Sequence, residues 1–231
     1  ITVEQITQVI ERLCIDACQF LPRDVKDAIT RCRACEDWAI ARGVLDDIIE
    51  NYRLAEEKKM PICQDTGMAC VFLEIGQDIH LTGGNLAEAV NEGVRRGYTN
   101  GYLRKSVVKD PVRRGNTGDN TPAMLYTEIV PGDQVKITVA PKGFGSENMS
   151  AVRMFKPSAG IEGIKAFILE TAEAAGPNPC PPIVIGVGIG GTFDKAALLA
   201  KKALLRDLGS HHSDPYYADL EKEMLEKVNA L

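Results

Sequence analysis

The chain has 231 residues, of which 45% are hydrophobic and 26% are charged, and its formal net charge is −5 at pH 7. A chain of this size can bury an ordinary hydrophobic core, and its acidic balance argues against general binding to nucleic acid or membranes. It contains no apolar run of about eighteen residues, so we expect neither a membrane span nor a secretory signal. The seven cysteines are an odd number, which favours reduced thiols or metal ligands in a reducing, cytoplasmic compartment.

Helical periodicity recurs along the chain. Thr2 and Gln5 predict a capping box at the start of a first helix, which Pro22 ends. A second helical region runs to about Lys58, before Pro61. Further helices are predicted over residues 86–97, 161–175, 196–208 and 215–228.

Apolar alternation predicts strands between these helices. The predicted strands cover residues 69–75, 124–130, 134–140 and 183–187. Pro131-Gly132-Asp133 predicts a hairpin between the second and third of them. We therefore expect a mixed α/β (α+β) fold, in which helices pack around small, mostly antiparallel or mixed sheets in a single compact unit over residues 1–231.

Two cysteines lie in loops rather than in core patterns. Cys63 is followed by Gln, Asp and Thr, which place hydrogen-bonding groups on its exposed side, and Cys180 lies between prolines on a loop that cannot become a helix. Both thiols are therefore candidates for contact with a ligand.

A glycine-rich stretch and a cysteine pair leave their interpretations open. Residues 186–191 resemble a dinucleotide fingerprint, but a Rossmann unit needs a second parallel strand ending in an acid, and Asp207 falls at a helix end. A structural turn, an anion- or cofactor-facing loop and a nicotinamide-dependent dehydrogenase all stay possible. Cys32 and Cys35 have the spacing of a zinc or dithiol site, yet two cysteines three apart also share one helix face.

Basic residues concentrate between Arg95 and Arg114, with Asp110 as the only acid. This segment is either a solvated surface or an anion site. Arginine suits a carboxylate because its planar fork donates two parallel hydrogen bonds. Arg104 and Arg114, in loops, are better placed for this than Arg95 on a helix.

Several segments, taken in order, resemble one known family. They are Pro61-Ile62-Cys63-Gln64-Asp65-Thr66-Gly67; Glu92-Gly93-Val94-Arg95-Arg96-Gly97-Tyr98 with Leu103-Arg104-Lys105-Ser106; Pro141-Lys142-Gly143 with Gly145-Ser146-Glu147-Asn148-Met149-Ser150; and Pro179-Cys180-Pro181-Pro182. Over residues 3–231 the chain is similar to the alpha subunit of class I fumarate hydratase and L-tartrate dehydratase, the iron-sulfur hydro-lyases. The motifs are long and ordered, so the resemblance is specific.

The resemblance implies a 4Fe-4S cluster held by three cysteines, with one iron left open for substrate. Cys63 and Cys180 match two of those ligands. The third belongs to a segment that follows the last helix in the family, so we expect it beyond Leu231 and expect this cluster-binding domain to lack its C-terminal part. None of the other cysteines matches it.

The resemblance also implies roles for the polar residues. Asp65 and Thr66 are expected to be catalytic, Gln64 and Arg104 to bind substrate, and Gly143 and Gly145 to contribute backbone groups. Phe144 replaces a glycine of the family pattern. The residue that removes the proton is attributed to the beta subunit.

The implied activity is the reversible hydration of fumarate to L-malate, a step of the tricarboxylic acid cycle. It is expected to need a beta subunit, in a dimer of heterodimers, and a small dicarboxylate substrate, with no nucleic acid or membrane partner. The alternatives are an L-tartrate dehydratase alpha subunit and a non-catalytic binding or regulatory subunit that has lost its cluster.

Overall fold

The computed structural model describes every residue from Ile1 to Leu231 and divides the chain into two units, Ile1–Phe144 and Gly145–Leu231. The elements are α1 (Val3–Gln19), α2 (Arg23–Cys35), α3 (Ala39–Lys58), β1 (Met68–Gly76), α4 (Leu86–Asn100), β2 (Met124–Val130), β3 (Val135–Lys142), α5 (Phe144–Glu147), a 3₁₀ turn (Pro157–Ala159), α6 (Gly160–Ala175), α7 (Phe193–Ala203) and α8 (Pro215–Asn229). The predicted mixed α/β class is confirmed. None of the helices combines the length and apolar composition that a bilayer crossing requires.

Unit 1, Ile1–Phe144, is built on a three-stranded sheet in the order β2-β1-β3. β1 pairs in parallel with β2 and antiparallel with β3, so the sheet is mixed. The strands predicted around residues 69–75, 124–130 and 134–140 are therefore confirmed. The hairpin predicted at Pro131-Gly132-Asp133 is wrong, because β1 lies between the two strands that this turn connects.

The turn passes around the end of β1, which explains the failed hairpin. Gly76 donates its N–H to the Gln134 carbonyl at 2.8 Å, and Gln77 donates to Val130 at 2.8 Å. A Cβ atom on Gly76 would lie 2.3 Å from the Gly132 carbonyl oxygen, so only glycine permits this crossing.

The core of unit 1 lies between β1 and the helix pair α1 and α4. Val71 and Leu73 of β1 pack with Ile10 of α1 and Val94 of α4, and all four are buried. The opposite face of β1 is also covered, since Phe72 is buried and stacks on Tyr126 at 4.9 Å between ring centroids. A strand with one exposed face was expected; as the central strand, β1 is buried on both.

Helices α1 and α4 approach closely at two glycines of α4. A Cβ on Gly93 would lie 2.7 Å from the Thr7 carbonyl oxygen, and one on Gly97 would lie 2.7 Å from the Cys14 Cβ. The predicted capping box at Thr2 and Gln5 fixes the start of α1. Helix α4 can therefore pack this closely against α1 only because positions 93 and 97 are glycine.

Unit 2, Gly145–Leu231, contains helices and no strand. Helix α6 packs against α8, and both agree with the predicted segments. The strand predicted over residues 183–187 is wrong as a sheet strand, because no ladder forms there. The helix predicted over 196–208 begins at Phe193 and ends at Ala203.

We expect Gly97→Ala to lower the free energy of unfolding by about 1 to 3 kcal/mol, because the added methyl group overpacks the contact with α1. The matched control is Gly43→Ala in α3, where nothing lies within 4 Å of the new Cβ. This control should stabilise the protein by up to about 1 kcal/mol through helix propensity. Urea unfolding of both variants measures the difference, and equal effects would contradict close packing at Gly97.

Candidate active site

The Cys63 loop, residues 61–67, connects α3 to β1 and is fixed at its base. Ile62 donates its N–H to the Cys18 carbonyl at 2.9 Å, and Asn51 Nδ2 donates to the Ile62 carbonyl at 2.9 Å. The end of α1 and the side of α3 thus hold the loop. Beyond this base the Cys63 side chain is exposed.

Cys63 presents its sulfur within a set of polar groups. The Asp65 N–H points at Cys63 Sγ at 3.4 Å, and the thiol lies 3.4 Å from Gln64 Oε1, which accepts from it. Hydrogen bonds from amide N–H groups to sulfur also occur at metal-bound thiolates. The loop therefore presents a thiol suited to metal ligation.

The Asp65 carboxylate joins the Cys63 loop to the end of β3. Its Oδ1 accepts from the Gly67 N–H at 2.9 Å, and its Oδ2 accepts from the Phe144 N–H at 3.3 Å. A Cβ on Gly143 would lie 3.2 Å from the same Oδ2. The glycine at 143 thus lets the backbone come close to this carboxylate.

Thr66 connects the Cys63 loop to the Arg104 segment, residues 103–107. The residue is only 5% exposed, and its hydroxyl donates to the Arg104 carbonyl at 3.0 Å. Tyr98 donates its hydroxyl to the Thr66 carbonyl at 2.7 Å. These bonds hold the Arg104 backbone beside the loop, while the Arg104 side chain is exposed and forms no ion pair within the structure.

Asn120 is the residue that ties these parts together. It is fully buried at 0% exposure and adopts a left-handed backbone with φ of 62°. Its Oδ1 accepts from Ser106 N–H at 2.7 Å and Val107 N–H at 3.0 Å. Its Nδ2 donates to the Gly67 carbonyl at 3.0 Å, so one amide holds both loops.

Sequence reasoning missed Asn120 and Tyr98. The available signal for Asn120 was the run Gly118-Asp119-Asn120-Thr121-Pro122, whose residue types favour turns and, for asparagine, the left-handed backbone. Tyr98 gave no signal beyond helical periodicity, since its hydrogen bond depends on the tertiary fold.

Two further groups complete the surroundings of the Arg104 segment. The Ser106 hydroxyl is buried and has no hydrogen-bond partner. Arg95 forms ion pairs with Asp119 and Glu92. This agrees with the expectation that Arg95, on a helix, is less well placed to bind a carboxylate than the arginines in loops. Although burial opposes it, hydrogen bonds from Thr121 and Arg95 lower the pKa of Asp119 to about 2, so this anchor stays ionised at neutral pH.

Unit 2 carries the remaining predicted residues, Cys180 and Gly145. Cys180 is exposed and has a φ of 62°, a conformation rare for residues other than glycine and asparagine. Its N–H donates to the Pro177 carbonyl at 3.0 Å. A Cβ on Gly145 would lie 3.3 Å from the Asn178 carbonyl oxygen, so the glycine-rich loop and the Cys180 loop, residues 178–182, are neighbours.

The structure thus brings Cys63, Gln64, Asp65, Thr66 and Arg104 together in unit 1, with Gly143 beside them, and brings Gly145 and the Cys180 loop together in unit 2. The meeting of Cys63 and Cys180 at one cofactor stays a prediction.

The other candidates have structural explanations. Cβ atoms on Gly186 and Gly188 would lie 2.3 Å and 2.1 Å from carbonyl oxygens of α7, which supports the structural interpretation of the glycine-rich stretch. Cys32 and Cys35 lie exposed on α2, where Arg33 between them pairs with Asp46 of α3.

The comparison with protein families decides the identity. The model of the fumarate hydratase (Fumerase) family matches residues 7–231. The chain belongs to the fumarate hydratase family. This is a family of hydro-lyases, and the resemblance seen in the cysteine motifs is confirmed.

Proteins similar to this chain are named for a dehydratase. A protein of Methanocaldococcus jannaschii, provisionally named L(+)-tartrate dehydratase subunit alpha, is 46% identical over 98% of this chain and 81% of its own length. Proteins of Escherichia coli and Shigella sonnei, both named L(+)-tartrate dehydratase subunit alpha, are 30% identical over 99% of this chain and 76% of theirs.

We expect Asn120→Ala to destabilise the protein by about 3 kcal/mol, because it leaves buried backbone groups unpaired and places alanine at a left-handed position. Asn116→Ala is the matched control, since Asn116 also bonds backbone groups of this region but is exposed. It should cost less than about 1 kcal/mol. Chemical unfolding measures both, and a mild effect at Asn120 would argue against its anchoring role.

We expect iodoacetamide to modify Cys63 and Cys180 in the native protein long before Cys14 and Cys18. Burial raises the pKa of Cys18 to about 12, with a further contribution from Cys63, and burial and Cys18 do the same for Cys14. At pH 8 only about one in ten thousand such thiols is ionised, and only the thiolate reacts. Peptide mass spectrometry gives the order, with urea-unfolded protein as the control in which all thiols react.

Proposed function

We propose that this chain is the alpha subunit of a two-subunit, iron-sulfur-dependent hydro-lyase that interconverts fumarate and L-malate. The observation that carries the proposal is the assembly in unit 1 of an exposed thiol, a carboxylate and an unpaired arginine on loops held by buried hydrogen bonds. Because all cysteines are free thiols, we place the protein in the reducing cytoplasm.

Two exposed thiols support the proposal of a 4Fe-4S cluster. Cys63 and Cys180 are exposed thiols in constrained loops, and thiolates are the ligands that such clusters use. Cys14, Cys18 and Cys70 are buried and serve the core. We infer that the third ligand comes from residues after Leu231, in keeping with relatives of which this chain covers 81% and 76%.

When bound, the cluster supplies a Lewis acid that makes the substrate hydroxyl a better leaving group. This chain's own residues would bind and orient the dicarboxylate. Arg104 has the free planar donor that a substrate carboxylate needs, and the unpartnered Ser106 hydroxyl offers another hydrogen bond in the same segment.

The other residues with predicted roles are Gln64, Asp65, Thr66, Gly143 and Gly145. Gln64 is exposed beside the sulfur, and Gly143 and Gly145 let the backbone pass close to Asp65 and to Asn178. Asp65 holds the loop through both of its carboxylate oxygens, and we propose for it the catalytic role that the resemblance implies. The Thr66 hydroxyl donates a hydrogen bond to the Arg104 carbonyl, so we propose that Thr66 positions the arginine.

The second candidate function is the dehydration of L-tartrate, favoured by the names of the relatives. Malate and tartrate both carry two carboxylates and a hydroxyl, so Arg104 suits either. Steady-state kinetics of the assembled alpha and beta subunits on both substrates decides between them. We expect the higher kcat/KM on malate, and a clear preference for tartrate would reverse the order.

A non-catalytic binding subunit without a cluster is the rival from another class. Anaerobic reconstitution of the protein expressed from its complete gene, with iron and sulfide, separates the two. We expect the visible absorbance of an iron-sulfur cluster and hydratase activity once the beta subunit is added. A reconstituted protein without iron would favour the rival.

We expect Cys63→Ser and Cys180→Ser each to lower the iron content after reconstitution by at least about tenfold, because each removes a thiolate ligand. Cys35→Ser is the control, since Cys35 is equally exposed but lies on α2. Far-UV circular dichroism should stay unchanged in all three. Normal iron in either of the first two variants would contradict the ligand assignment.

A further inference from the structure

The loop between α4 and β2 contains a structured, exposed segment, residues 107–117, which we call the basic arm. The Lys109 N–H donates to the Gly115 carbonyl at 2.7 Å, which closes the arm into a narrow loop. At its tip the Asp110 Oδ1 accepts from two backbone N–H groups, at 2.6 Å and 3.0 Å. Asn116 Nδ2 donates to the carbonyl of residue 105 at 2.9 Å, so the arm is held against the Arg104 segment. Hydrogen bonds thus define the conformation in which the tip is presented.

Basic side chains on the arm and at its base have no acidic partner. Five of them form no ion pair within the chain: Arg104, Lys105, Lys109, Arg113 and Arg114. The arginines of α4 differ, since Arg95 and Arg96 both pair with acids. The only acid of the arm, Asp110, bonds to the arm's own backbone. In a chain whose net charge is −5, this surface is a local concentration of positive charge that suits an acidic partner.

Two large side chains in the same stretch of the chain are almost fully exposed. Tyr102 is 91% exposed, and Val112 at the tip of the arm is 88% exposed. Tyr102 also has a φ of 53°, in the left-handed region, at a position after a helix where glycine is preferred. A tyrosine in a costly backbone conformation that adds nothing to the core indicates a role at the surface. Tyrosine and arginine are also the residues that most often dominate protein–protein interfaces.

We propose that the basic arm and Tyr102 dock against an acidic surface of the partner subunit, with Tyr102 and Val112 as anchors among the positive charges. This inference rests on the proposed two-subunit assembly and adds which surface of this chain makes the contact. Because Arg104 lies at the base of the arm, the contact would lie beside the candidate substrate site.

Other occupants suit this surface less well. A second copy of the chain related by a two-fold axis would bring one basic arm towards another, so like charges would face each other. The negative net charge of the chain opposes binding to nucleic acid. A small dicarboxylate is too small to neutralise all the unpaired basic side chains and to cover Tyr102 and Val112 as well.

Calorimetric titration of the beta subunit into the alpha subunit, expressed from its complete gene, tests the role of charge. We expect Arg113→Glu to raise the Kd at least about tenfold at about 50 mM salt and markedly less at about 500 mM, because salt screens exposed charges. Arg31→Glu is the matched control, since Arg31 is also an exposed arginine without an ion pair but lies on α2. Its Kd should stay within about twofold of the unmodified value.

Tyr102→Gly tests the apolar anchor. It should raise the Kd at least about tenfold at both salt concentrations, because the lost contact is not electrostatic. The same change should raise the thermal midpoint of the alpha subunit alone, since glycine relieves the left-handed backbone. A purely structural role for this tyrosine would not give weaker binding together with higher stability.

The outcomes separate this inference from the proposal on which it rests. Unchanged affinity in both Arg113→Glu and Tyr102→Gly would overturn the docking surface and leave the two-subunit assembly in place. Failure of the unmodified subunits to bind each other would overturn both. Sedimentation of the alpha subunit alone provides a further test, because a dimer that Arg113→Glu dissociates would make a second copy the occupant and overturn the inference.

Discussion

One buried amide holds the candidate site of unit 1 in place. Asn120 bonds the carbonyl of Gly67 on one side and the N–H groups of Ser106 and Val107 on the other. In the interior such bonds have no competing water, so leaving any of them unmade is costly. The distance between the thiol loop and the arginine segment is therefore set by a residue that contacts neither thiol nor guanidinium.

Much of the fold follows from local sequence rules. Helical periodicity located α1, α4, α6 and α8, and alternation located β1, β2 and β3. Strand pairing is a nonlocal property, and it was there that prediction failed: a strong turn signal does not reveal that a third strand lies between its arms. Residues 183–187 have strand composition for the same local reason, but a strand also needs a neighbour.

The candidate site also has residues that the local sequence predicts and residues that only the fold reveals. Loop chemistry and family resemblance predicted roles for Cys63, Asp65 and Arg104, because their functional groups are recognisable from neighbouring residues. The sequence could not show that the Thr66 hydroxyl donates a hydrogen bond to the Arg104 carbonyl. Nor could it show that Tyr98 and Asn120 donate hydrogen bonds to carbonyl groups of the Cys63 loop. Supporting residues act across long sequence separations and resemble ordinary helix or turn positions until the fold is known.

Cys18, near the end of α1, has separate roles for its backbone and its side chain. Its carbonyl accepts the hydrogen bond from Ile62 that holds the base of the Cys63 loop, whereas its thiol is buried in the core of unit 1. A replacement of the Cys18 side chain therefore alters core packing but leaves the loop's anchor in place, because that anchor is a main-chain bond.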